Sequence, residues 1–72
     1  VIYPNPCKDI VYFKSENLTT GVTIRDSNGR TVLTKRGKNI ESVNLGGYPS
    51  GIYYIEVMYD NNEAIIQKIS KI

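Results

Sequence analysis

Seventy-two residues with nine basic and seven acidic side chains, a formal charge of +2 and a 40% apolar share describe one small globular domain. So even a charge balance excludes a basic nucleic-acid-binding surface, and no run of about 18 apolar residues is present to cross a membrane as a helix. Histidine is absent and Cys7 is the only cysteine, so an internal disulfide is excluded and a thiol nucleophile would lack an imidazole base.

The chain opens on Val1-Ile2-Tyr3, which admits a short strand. Tyr3-Pro4-Asn5-Pro6 follows. Two prolines fix φ and remove two donors, which predicts a stiff extended entry with Asn5 bonding backbone locally. Cys7 reads as a small apolar residue packed after that turn. Ile10-Val11-Tyr12-Phe13 is rich in strand formers, and Val22 and Ile24 alternate with Thr23 and Arg25 as in a half-buried strand. In Asp26-Ser27-Asn28-Gly29-Arg30 the Asn-Gly pair predicts a type I′ hairpin, with both central residues at positive φ. Thr31-Val32-Leu33-Thr34-Lys35 is the return strand.

Ile40, Val43 and Leu45 change parity between the first two, which predicts a bulge or a break. Gly46-Gly47-Tyr48-Pro49-Ser50-Gly51 is a loop, with Gly51 admitting close packing at the entry to the next strand. From Ile52 to Tyr59 the pattern is the strongest in the chain. Tyr53, Ile55, Val57 and Tyr59 share the face assigned to the core. Asp60-Asn61-Asn62-Glu63 is a second tight turn, and residues 64–72 return antiparallel.

No segment has a helical period. Six strands, with a seventh at the N-terminus, and turns about 8–12 residues apart indicate an all-β fold: a small Ig-like antiparallel β-sandwich. Val22, Ile24, Val32, Ile55 and Val57 are the expected core. A domain of this size buries only about 60% of its unfolded surface, so each of these side chains matters. The last strand breaks the pattern. Lys68 and Lys71, three apart, fall on opposite faces of a regular strand, so one points inward unless the strand frays or bulges. An inward lysine on an edge strand also opposes edge-to-edge aggregation.

Chemistry-bearing constellations are missing. No nucleophile has a base, Asp60 and Glu63 are too few hard ligands for a cation, and no Gly-rich loop opens a helix. The reading is therefore a passive domain: not an enzyme, with no cofactor and no metal site.

In order along the chain stand Tyr3-Pro4-Asn5-Pro6, Asp26-x-x-Gly29-Arg30, Leu45 followed by Gly51-Ile52-Tyr53, and Lys68-Ile69-Ser70-Lys71-Ile72. Taken together they resemble, over nearly all 72 residues, the C-terminal sorting domain (type A) of cargo proteins of the type IX secretion system of Bacteroidota. The departure is the third motif, whose Leu-to-Gly spacing is longer by three residues than the compact form. The resemblance implies a folded address at the C-terminus of a secreted cargo. Its partners would be the outer-membrane type IX translocon and a sortase-like cysteine protease. That protease, in many members, cuts upstream and joins the cargo to an anionic lipopolysaccharide. It implies a path through the periplasm to the outer membrane, the cell surface or the medium, without nucleic acid or a transmembrane segment. Because residue 1 is not methionine, a cargo region upstream of residues 1–72 is expected.

The resemblance also assigns residues. Lys68, Ile69, Lys71 and Ile72 would be read by the translocon, by strand addition or by capture of the strand end. Pro4, Asn5, Pro6, Asp26, Gly29, Gly51 and Tyr53 carry the family motifs. Exposed sheet edges admit an edge-strand dimer. The alternatives are an Ig-like carbohydrate-binding or adhesive module, with Tyr48 ahead of Tyr54 and Tyr59 as its aromatic platform, or a structural spacer.

Overall fold

The computed structural model describes residues 1–72 and contains strands without a helix. In chain order these are β1 (Ile2–Tyr3), β2 (Ile10–Phe13), β3 (Thr19–Asp26), β4 (Thr31–Arg36), β5 (Ser42–Asn44), β6 (Gly51–Tyr59) and β7 (Ala64–Lys71). They form two antiparallel sheets, one in the order β1-β2-β5 and one in the order β4-β3-β6-β7. This is the expected seven-stranded sandwich.

Alternation builds the core between the sheets. Ile2, Val11 and Val43 come from the smaller sheet, and Val22, Ile24, Tyr53, Ile55, Val57 and Ile69 from the larger. Burying each such side chain contributes about 1.5–3 kcal/mol. Ile40, Cys7 and Leu45 fill the same cluster from connecting segments. The parity change at residue 40 is thus a break: Ile40 is buried ahead of β5, and its amide donates to the Thr19 carbonyl at 2.9 Å.

Val32 departs from expectation. It sits half-buried at the rim of the core. The cause is a register shift, since Ile24 faces Leu33 while Arg25 faces Thr31, which leaves Val32 as the unpaired residue of a bulge.

The Asn28-Gly29 hairpin is not type I′. Gly29 has φ +83° but Asn28 does not have positive φ. The Gly29 amide donates to the Asp26 carbonyl at 3.0 Å, and the Asp26 amide donates to the Arg30 carbonyl at 2.9 Å. That is a three-residue loop whose last residue alone is left-handed. Asp26 decides it: Oδ1 accepts the amides of Asn28 and Arg30, both at 3.0 Å. The second turn repeats the design. The Tyr59 amide donates to the Glu63 carbonyl at 2.8 Å, and Asn62 takes the left-handed position at φ +67°.

Candidate functional site where the two chain ends meet

β7 is an edge strand of the larger sheet, next to β6. Its odd-numbered residues face the smaller sheet. Ile69 is fully buried, and Lys71 is 8% exposed. Its even-numbered residues face out, with Lys68 exposed opposite Tyr54. Ile72, just beyond the strand, is also exposed. The four residues expected to be read therefore divide into two outside, Lys68 and Ile72, and two inside, Ile69 and Lys71.

The outer edge of the C-terminal half of this strand is covered by the other end of the chain. The Ser70 amide donates to Asn5 Oδ1 at 3.1 Å, and Asn5 Nδ2 donates to the Lys68 carbonyl at 3.2 Å. Next along, the Cys7 amide donates to the Ser70 carbonyl at 2.8 Å and the Ile72 amide to the Cys7 carbonyl at 2.9 Å. Cys7 thus forms a parallel bridge with Lys71. Pro4 and Pro6 have no N–H to offer a ladder. Between them the carboxamide of Asn5 supplies one donor and one acceptor, and so stands in for a peptide unit of a neighbouring strand. Sequence reasoning expected Asn5 to bond locally and the entry to be extended. Instead its partners lie 63 and 65 residues away, and residues 5 and 6 form a bend. The Tyr3-Pro4 and Asn5-Pro6 peptide bonds are both cis.

Under this clip Cys7 is fully buried, and burial pushes its thiol pKa up against the opposing pull of the Lys71 charge. Lys71 makes no ion pair. Every fully buried side-chain nitrogen or oxygen has a hydrogen-bond partner, so the Lys71 ammonium is hydrated while its stem packs inside.

The remaining motif residues assemble in register beside this strand. Asp26 faces Tyr53 and Tyr53 faces Ile69 across the sheet; two rows further on, Gly51 faces Lys71. The carboxyl of Asp26 is held below its ordinary pKa, first by the Arg30 amide, then by the Asn28 amide and the Arg30 guanidinium at 3.3 Å. Tyr53 fixes the loop before β6 by donating its hydroxyl to the Pro49 carbonyl at 2.6 Å. Gly51 has φ +152° and no atom within 4 Å of where a Cβ would lie. Its backbone conformation, and not the close packing expected, is what calls for glycine. Asp26, Arg30, Tyr48, Gly51 and Tyr53 line an open cleft of about 480 Å³ at this end of the sandwich.

Four motifs spread over the whole chain therefore meet at one end of one sheet. A model of the secretion system C-terminal sorting domain matches residues 1–71. The chain belongs to that family. No curated protein matches it. A type IX sorting domain is a signal that engages its secretion system and sends its parent to the outer membrane and the cell surface or beyond; the family is not one of enzymes.

Two features escaped sequence reasoning. Cys7 and Ser70 belong to the joined ends, and only the prolines flanking Asn5 hinted that a side chain would replace backbone there. The exposed aromatic pair is Tyr3 and Tyr12, with ring centroids 5.6 Å apart and planes at 25°. Tyr48, the residue favoured from sequence, is half-buried and donates its hydroxyl to the Val32 carbonyl at 3.1 Å.

Proposed function

We propose that this domain takes its parent protein through the outer membrane by presenting β7 to the type IX translocon. Lys68 and Ile72 are the residues read, and Ile69 and Lys71 hold the strand that displays them. The observation that carries this reading is the split across β7: Lys68 projects into solvent while its neighbours in the same motif are locked into the core and against Cys7. A sortase-like cysteine protease then cuts upstream of the domain and joins the cargo to anionic lipopolysaccharide. The nucleophile for that step belongs to the protease.

Export of a fluorescent reporter fused ahead of the domain tests this, in a type IX-competent host with a periplasmic signal supplied. Surface delivery by the unaltered domain, lost in a folded Lys68→Ala variant, is the expected outcome. Retention of the unaltered fusion in the periplasm would refute it. The stacked Tyr3–Tyr12 pair favours a second reading, glycan binding on the outer face of the smaller sheet. A glycan array that binds the domain and loses Tyr12→Ala would support it.

A further inference from the structure

The two edges of the larger sheet are defended differently. Along β4, Thr31, Thr34, Lys35 and Arg36 are all exposed, and long charged side chains oppose strand addition. Along β7, Asn5 and Cys7 close the C-terminal half. Residues 64–67 have no such cover on their backbone edge.

Strand parity says which groups are free there. The peptide groups of Ser70 and Ile72 turn outward to the clip, so the even-numbered residues of β7 turn away from β6. The carbonyl of Ala64, both peptide groups of Ile66 and the amide of Lys68 face solvent. Ile66 is 65% exposed, the most exposed large apolar side chain within any strand, and Tyr54 and Met58 lie exposed on the same outer face of β6. No proline, bulge or inward charge defends this stretch: the β6–β7 register runs unbroken from Gly51–Lys71 to Met58–Ala64.

We infer that residues 64–68 of β7 are a docking edge for an extended segment of the translocon, which adds as a strand and sets an apolar side chain beside Ile66 and a carboxylate beside Lys68. The inference rests on the sorting function proposed above and names the partner's chemistry. Lys68 is two residues from Ile66, hence on the same face, and has no ion pair within the domain. Strand addition supplies the ladder, and the alternate side chains supply the choice of partner.

A second copy of this chain fits poorly. Antiparallel pairing about Ile66 would set the copy's turn at residues 60–63 opposite residues 69–72, where residues 5–7 already lie. A free extended segment that stops short of Ser70 meets no such obstacle. A ladder of so few bonds is weak, as suits an address that must be released.

Ile66→Pro tests the edge selectively. It removes an outward N–H that β6 does not use, and proline is tolerated at such edge positions. With folding checked by circular dichroism and thermal melting, surface delivery of the reporter should fall by up to about tenfold, the loss of one ladder hydrogen bond. Ile66→Glu keeps the amide, places on the edge a charge that repels the partner's carboxylate, and should fall as far; it decides the question if the proline variant unfolds. Undiminished delivery by a folded variant overturns the docking edge and leaves the sorting function standing. Periplasmic retention of the unaltered fusion overturns the sorting function and this partner with it. A concentration-dependent dimer in analytical ultracentrifugation, abolished by Ile66→Pro, would assign the edge to a second copy and overturn the inference.

Discussion

Asn5 and Ser70, 65 residues apart, are joined by a 3.1 Å hydrogen bond from the Ser70 amide to the Asn5 side chain. With the bond from Asn5 Nδ2 to the Lys68 carbonyl, one carboxamide binds both sides of residue 69 and closes the last strand against the first turn. Contacts of such long separation form only when the whole domain is folded. The motif at one end is therefore held in shape by the motif at the other. Asn5→Ala removes both bonds. A typical net hydrogen bond contributes about 0.5–1.5 kcal/mol, and these lie exposed, so a loss of about 1 kcal/mol is expected. In a domain this small that lowers Tm by about 4–8 °C. Hydrogen exchange at the Ser70 amide should rise. Unchanged protection at Ser70 would show that the clip does not hold in solution.

The two lysines of the last motif should separate by experiment. Lys68 is exposed and unpaired, so Lys68→Ala should change stability by no more than about 0.5 kcal/mol in urea denaturation. Lys71 packs its stem inside, so Lys71→Ala should cost more, and Lys71→Met, which keeps an unbranched stem, should recover most of that cost. Equal stability of Lys68→Ala and Lys71→Ala would contradict the division of labour between them.

Asp26 makes the hairpin sensitive to acid. Its folded pKa lies below the ordinary value of 3.8, first because the Arg30 amide donates to the carboxylate. A depressed carboxyl pKa stabilises the fold above the unfolded value, and that contribution is lost as pH falls from about 3.8 through the folded pKa. Asp26→Asn should therefore narrow the stability difference between neutral pH and pH 2. An acid unfolding curve as steep in Asp26→Asn as in the unaltered chain would place the acid sensitivity elsewhere.

The strands were legible because alternation reports burial directly: Tyr53, Ile55 and Val57 face the core as their spacing required. Local reasoning missed where a side chain took over from the backbone. Asp26 capped its own hairpin and displaced the type I′ turn that Asn28-Gly29 suggests. The bulge that carried Val32 to the rim depends on the partner strand, which no local pattern encodes. At the site, Lys68 and Lys71 announced opposite faces, but their spacing did not say which was inside. That was settled by the register with Gly51 and the bridge to Cys7, contacts between segments far apart in sequence.

Cys7 reports on the clip from within. Burial raises its thiol pKa above the ordinary 9.0, with the Lys71 charge opposing. The unfolded chain therefore releases its proton at lower pH than the folded one. Stability should fall as pH rises above about 9.0 and level off only beyond the folded value. Cys7→Ala should remove that alkaline decline. The same burial shields the sulfur from thiol reagents unless residues 5–7 lift from β7, so labelling at neutral pH should follow the population of that open form. Asn5→Ala weakens the clip by about 1 kcal/mol, which converts to about a fivefold faster reaction under conditions where the domain stays folded. Equal labelling rates in the two proteins would mean that Cys7 is reached without breaking the Asn5 bonds, and that Asn5 does not control the opening.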